Sequence, residues 1–167
     1  MKPLSIELLQ GMPVFGAIRE DTLHFLLDRA REVCVDAGRY FFREGDRAEA
    51  MYVLEVGEVA ILRGWQGTEF VLHHLNAGDC FGEMALLDLF PRSASVRAET
   101  DCKAIELGCA ELYRLFERDT EQFALIQMNI GREISRRLRL VDELLFRALG
   151  GGWQAPGQET AAATPSR

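Results

Sequence analysis

Between Val33 and Leu107 seven glycines (Gly38, Gly45, Gly57, Gly64, Gly67, Gly78 and Gly82) cut the chain into short runs rich in β-branched and aromatic residues. Helices do not survive that punctuation, whereas short strands joined by turns need it. The region therefore reads as a meander of about eight short strands. Met51–Val56 and Glu58–Arg63 flank Gly57 in the manner of a tight hairpin, and the run from Phe70 to Leu75 ends in the turn signal Asn76-Ala77-Gly78-Asp79. Strands and turns this regular suggest a small barrel or jelly roll.

The flanks are helical. Ile6, Leu8 and Leu9, then Leu23, Phe25, Leu26, Leu27 and Ala30, give two short helices over residues 5–31, joined near Gly11-Met12-Pro13, with Asp21-Thr22 as the cap of the second. After Gly108, the residues Glu111, Leu112, Leu115 and Phe116 make a short amphipathic helix. A long helix follows from about Thr120 to Leu149, with Ile126, Ile130, Ile134, Leu138, Val141 and Leu145 in one apolar stripe. Beyond it, GGGWQAPGQETAAATPSR is poor in large apolar residues and reads as a flexible tail over 150–167, with Trp153 a candidate anchor for a partner. No internal repeat is visible.

A chain of 167 residues can bury a core as one domain without metal or disulfide staples. The net charge of −7 argues against a surface broadly suited to nucleic acid, which needs Lys and Arg to neutralise phosphates. Cys34, Cys80, Cys102 and Cys109 contain no CxxC pair and sit in apolar runs, so they read as small buried hydrophobes in a reducing compartment. The N-terminus lacks a basic segment leading into an apolar one, and no apolar run approaches a membrane span. The expectation is a soluble cytoplasmic protein without a membrane partner.

Residues 81–96, FGEMALLDLFPRSASV, bracket a single Glu and a single Arg with glycine, small residues and a proline. Gly82 lets a backbone approach a ligand closely, and one helical turn over Met84–Asp88 would point its first N–H groups at an anion. Arg92 offers a planar fork suited to phosphate, and Ser93 and Ala94 are small enough for their N–H groups to reach it too. Glu83 cannot bind that anion, so it needs a neutral donor such as a neighbouring hydroxyl. A phosphate beside a hydroxyl describes a nucleotide.

Gly82-Glu83-Met84-Ala85-Leu86 followed by Pro91-Arg92-Ser93-Ala94-Ser95-Val96 resembles the phosphate-binding cassette of cyclic nucleotide-binding domains. The resemblance extends to Phe41–Asp46, similar to the family's EGD turn, to Val53–Val59 and to Ala77–Gly82, and covers roughly Val14 to Phe146. It implies an α+β, mainly β fold: an eight-stranded antiparallel jelly-roll barrel over about 33–107, N-terminal helices, and a short then a long C-terminal helix over about 110–148, together one domain of residues 1–149. It implies that Glu83 accepts the ribose 2′-hydroxyl, that Arg92 pairs with the cyclic phosphate, and that N–H groups of Gly82, Ala85, Ser93 and Ala94 complete the cradle. Phe81, Met84 and Ser95 join the ligand-binding set. Candidates to cap the base are Met128, Arg132 and Arg136. Ser93 suits cyclic AMP, the preferred ligand, and is compatible with cyclic GMP.

The implied function is a regulatory sensor, with no cofactor beyond its ligand and no enzymatic activity, that couples binding to movement of the C-terminal helices and so controls a separate effector protein. Met84, Leu86, Leu112, Leu115 and Phe116 are the apolar couplers, and the long helix either makes a homodimer, which its heptad-like spacing favours, or folds back on the barrel. Arg132, Arg136, Arg137 and Arg139 alternate with Glu133, Asp142 and Glu143 and read as a solvated face; with only the tail after the long helix, direct DNA binding is not expected. A metal enzyme would need clustered inward histidines, whereas His73-His74 alternate faces on a strand and His24 lies in a helix. The other reading is a degenerate, ligand-free scaffold for protein–protein contacts.

Overall fold

The computed structural model describes residues 6–88 and 90–150; Trp153 and the remainder of the tail lie outside the described residues, as do the side chains of Glu7, Leu8 and Ala85. The described residues divide into two units, the first ending at Glu133 and the second beginning at Ile134. The first unit opens with α1 (Ile6–Gln10), a 3-10 turn (Pro13–Phe15) and α2 (Glu20–Leu27). Eight strands come next among the described residues: β1 (Arg31–Val35), β2 (Tyr40–Phe42), β3 (Ala50–Val56), β4 (Glu58–Trp65), β5 (Thr68–Asn76), β6 (Cys80–Phe81), β7 (Ser95–Ala98) and β8 (Cys102–Gly108). Helix α3 (Met84–Asp88) interrupts them, and α4 (Cys109–Arg118) and α5 (Thr120–Gly150) close the described chain.

All strand pairs are antiparallel and fall into two sheets, β1-β8-β3-β6 and β2-β7-β4-β5. No pairing among the described residues joins the two into one closed barrel. Gly57 is not the hairpin its sequence implied. Strand β3 pairs with β6 and β8 while β4 pairs with β5 and β7, so the chain changes sheets there. The corner is tight: at φ +100° a Cβ on Gly57 would stand 2.7 Å from Cys102 Sγ and 2.8 Å from the Asp101 carbonyl oxygen. A local turn signal cannot distinguish reversal within a sheet from passage between sheets. The neighbouring hairpin is β4–β5, whose two-residue turn Gln66-Gly67 has φ +50° and +79°, the left-handed pair that matches strand twist.

Leu54, Val59, Ile61, Leu75, Phe81, Val96, Ala98, Cys102 and Ala104 form the core between the strands, with Phe41, Phe42 and Tyr52 packed against it. Two expectations need correction here. Cys80 and Cys102 are buried, but Cys34 lies exposed on the edge strand β1 and Cys109 is exposed at the start of α4. Helix α2 starts before the expected cap: Arg19 holds the cap position without a side-chain bond, and Asp21 and Thr22 lie inside the first turn. Glu20 and Asp21 there complement the helix dipole, which replaces the missing side-chain cap.

The apolar stripe of α5 divides. Ile126 and Ile130 are buried in the first unit, where buried Asn129 donates to the carbonyls of Val14 (3.3 Å) and Gly16 (2.9 Å) and Gln122 Oε1 accepts the Arg19 N–H. In the second unit Leu138, Val141 and Leu145 are exposed.

Candidate functional site

Strand β6 is two residues long, and its exit sets the site. Gly82 at φ +78° turns the chain in a conformation disfavoured for any side-chain-bearing residue, placing buried Glu83 (4% exposed) ahead of α3. The Leu86 N–H closes on the Glu83 carbonyl at 3.1 Å, which starts that single helical turn. At the far end the Asp88 carboxylate accepts the Phe90 N–H, turning the chain toward Pro91-Arg92. The two halves meet again where the exposed Ser93 hydroxyl lies 3.9 Å from Met84 Sδ.

Arg92 is fixed from two directions. Its backbone N–H donates to the Asp46 carbonyl and its carbonyl accepts from the Gly45 N–H, both at 2.9 Å, so the Glu44-Gly45-Asp46 turn brackets it. That turn is itself held, because the Asp46 carboxylate accepts the Arg43 N–H (2.7 Å) and Ser95 Oγ accepts the Glu44 N–H (2.9 Å). Ser95, expected among the ligand-binding residues, is thus buried in β7 with its hydroxyl serving the turn.

The Arg92 side chain is 5% exposed. One terminal nitrogen donates to the Gly82 carbonyl at 3.0 Å and the other to the Ala50 carbonyl at 2.7 Å. The guanidinium carbon lies 3.9 Å from the centroid of the Phe42 ring, and Tyr52 stands 5.8 Å away. Nε is buried without a hydrogen-bond partner, and both acceptors named for the terminal nitrogens are neutral. Burial pushes the guanidinium below the ordinary arginine range, while Tyr52, Asp46, Cys109 and Glu106 partly restore it. The same burial, joined by Glu106, pushes the Tyr52 hydroxyl up. A buried cation met by neutral carbonyls, with one donor left over, is electrostatically incomplete and suits an anion.

Of the other expected residues, Phe81 is buried and stacks on Tyr52 at 5.3 Å, Met84 is exposed, and Ala94 packs against the core. Met128 is exposed on α5, and Arg132 donates to Asn129 Oδ1 at 2.9 Å, so in this conformation its side chain engages the α5–N-terminal junction. Arg136 lies in the second unit. The sequence did not point to the Ala50 carbonyl, Phe42 or Tyr52, since a backbone oxygen leaves no residue-type signal and the two rings read as core. A groove of about 780 Å³ runs beside the site, lined by Arg47, Glu49, Phe90, Pro91, Cys109 and Glu111 among others. Gly82, Glu83 and Arg92 do not line it, so the arginine's geometry rather than cavity size marks the candidate site.

A model of the family described as cyclic nucleotide-binding domain matches residues 32–119. The chain belongs to the cyclic nucleotide-binding domain family. The match spans every strand from β1's second residue to β8 and all of α4, and so contains the site just described. A cAMP-dependent protein kinase regulatory subunit from Emericella nidulans is 37% identical over 100 residues, 60% of this chain and 24% of that protein. The crystal structure of the Thermus thermophilus catabolite activator protein superposes with a TM-score of 0.69 at 30% identity, covering 80% of this chain and 61% of that one. The regulatory domain of Toxoplasma gondii PKA, crystallised with cAMP, gives a TM-score of 0.61 at 30% identity over 65% of this chain and 42% of that one. The chain thus spans about a quarter of the fungal relative and three fifths of the bacterial one. As a cyclic nucleotide-binding domain it carries two four-stranded antiparallel sheets with helices before, within and after them.

Proposed function

We propose that this domain is a regulatory sensor for a cyclic nucleotide, with cyclic AMP preferred and cyclic GMP the competing ligand. The observation that carries the reading is the Arg92 guanidinium, 5% exposed, held by two carbonyls and with Nε lacking a partner. An arriving cyclic phosphate supplies the missing negative charge, with N–H groups of Gly82, Ala85, Ser93 and Ala94 around it and the Glu83 carboxylate accepting the ribose 2′-hydroxyl. The relatives named for cAMP support that choice of nucleotide. Its two sheets are read as the walls of a jelly-roll barrel around the base.

The domain works by binding rather than by turnover, in the cytoplasm. Among the described residues no group of three His, Cys, Asp or Glu could hold a metal, and no helix is long and apolar enough to cross a membrane. The output runs from Met84 and Leu86 through buried Leu112 and Leu115 and the partly exposed Phe116 to the C-terminal helices and a separate effector protein. Exposed Leu138, Val141 and Leu145 support a homodimer through the long helix. Met128, Arg132 and Arg136 are the candidates to cover the base once the ligand is in, which requires Arg132 to leave Asn129.

Calorimetric titration with cyclic AMP, cyclic GMP and cyclic di-GMP, paired with thermal unfolding, tests this. A ligand bound only by the folded state raises the melting temperature, by an amount that grows with its concentration over Kd. Arg92→Ala should abolish binding in a protein that still folds. Binding unchanged in that variant would overturn the site, and no binding of any cyclic nucleotide would leave the scaffold reading. Sedimentation at micromolar concentration tests the dimer, and a monomer with and without ligand would refute it.

A further inference from the structure

Outside the cassette motif, the Phe42 ring stands under the Arg92 guanidinium carbon. We infer that Phe42 is a positioning residue for the site: its face fixes the plane of the Arg92 guanidinium and so the direction in which the remaining donors point. This rests on the cyclic nucleotide reading above and adds to it the element that aims the arginine.

Strand β2 pairs with β7 through Tyr40↔Arg97 and Phe42↔Val96, so three residues of β2 stand opposite two of β7. Successive strand side chains normally alternate faces, but a bulge breaks that rule and re-aims the side chains beyond it. Phe41 and Phe42 consequently both pack against the same core, together with Tyr52 and Phe81. Phe41 lies edge-on to Tyr52 and Phe81, at 5.5 and 5.0 Å. Phe42 is tilted against the same rings at 5.9 and 6.1 Å and turns its face to Arg92 Cζ at 3.9 Å.

At Arg92, two carbonyls accept from the terminal nitrogens at the rim, and Cζ lies over the Phe42 ring. The rim bonds alone allow rotation about the line through the two acceptors, and a ring whose centroid lies 3.9 Å from Cζ limits that rotation. The neighbouring glycine borders both groups. A Cβ on Gly82 would come within 2.5 Å of the Arg92 terminal nitrogen and 3.4 Å of the Phe42 ring, so only a glycine fits at the edge where the two groups meet. The quadrupole of the ring also contributes negative potential to a buried cation that donates to neutral carbonyls, which stabilises its charged form while no anion is bound.

The test uses the whole chain, with cyclic AMP as probe and titrations well below the melting temperatures of all variants. Phe42→Leu keeps apolar bulk but removes the ring face, and should weaken binding about tenfold. Phe42→Tyr keeps the face and should bind within about twofold of the unsubstituted chain. In an Arg92→Lys background, which lacks the planar group, Phe42→Leu should change affinity by less than about twofold. A readout without ligand accompanies these: the Arg92 Hε resonance should sit upfield from the ring current and move downfield in Phe42→Leu. Equal affinity of Phe42→Leu and the unsubstituted chain would overturn this inference alone, as would loss in Phe42→Tyr equal to that in Phe42→Leu. No binding by the unsubstituted chain would overturn it together with the sensor reading.

Discussion

Replacing Gly82 by Ala probes the strained corner and the arginine at once. At φ +78° an L-residue adopts a left-handed conformation, which costs about 1–2 kcal/mol. The added Cβ would stand 2.5 Å from the Arg92 terminal nitrogen that donates to the Gly82 carbonyl, so that nitrogen must move and its bond is lost. Hydrogen bonds to charged groups contribute about 1.5–3 kcal/mol. Against these, Ala narrows the unfolded ensemble and returns about 0.4–1 kcal/mol. The net destabilisation is about 2–4 kcal/mol, read by urea unfolding, and corresponds to a fall of roughly 5–15 °C in melting temperature for a chain of this size. Gly38→Ala is the control: Gly38 has φ +79° and nothing within 4 Å of the added Cβ, so it carries the strain without the displacement. Cyclic AMP affinity should fall about tenfold or more in Gly82→Ala and not in Gly38→Ala. Equal destabilisation of the two variants with unchanged affinity would refute the claim that Gly82 makes room for Arg92.

Other perturbations read other parts of the fold. Gly57→Ala places a Cβ 2.7 Å from Cys102 Sγ and 2.8 Å from a backbone oxygen that cannot step aside, so urea unfolding should show a loss exceeding that of Gly38→Ala by about 2 kcal/mol. Asn129→Ala strips the Val14 and Gly16 carbonyls of their side-chain donor and should cost about 2 kcal/mol, with hydrogen exchange accelerating in α1 to α2 before the sheets. Asp119 accepts the Gln122 N–H at the start of α5 and pairs with Arg19, and these contacts hold its carboxyl below the usual range. A depressed folded pKa contributes stability above the unfolded value that is lost as pH falls through the folded one. Melting temperature should therefore decline on acidification from the ordinary carboxylate range downward, and Asp119→Asn should flatten that slope while lowering stability near neutrality.

The pattern of glycines and β-branched residues was enough for the strands, and the periodicity of the two C-terminal helices was enough for α4 and α5, because both signals are local. The Gly82 corner and the helical turn after it were legible for the same reason, since they lie with Arg92 in one short stretch. Gly57 shows where local reading stops. A glycine between two strands marks a change of direction, but whether β4 pairs with β3 or crosses to the other sheet depends on β7, nearly forty residues downstream. Cys34 and Cys109 failed similarly, since neighbours in sequence said apolar while edge strand and helix start said solvent. The stripe on α5 looked continuous, yet only Ile126 and Ile130 of its early part find the N-terminal helices' unit to be buried in.

The sequence by itself determined which groups the proposed site offers: the Glu83 carboxylate, the Arg92 guanidinium and a run of small residues whose backbone can be approached. Tertiary structure alone decided how the guanidinium is held. The Ala50 carbonyl comes from β3, the Phe42 ring from a bulge in β2, and the bracket on the Arg92 backbone from the Gly45-Asp46 turn. None of these is near Arg92 in the chain, and two are backbone atoms that every residue type possesses. A motif can state which charge is offered, while the direction of a buried charge is set by whatever the fold packs around it.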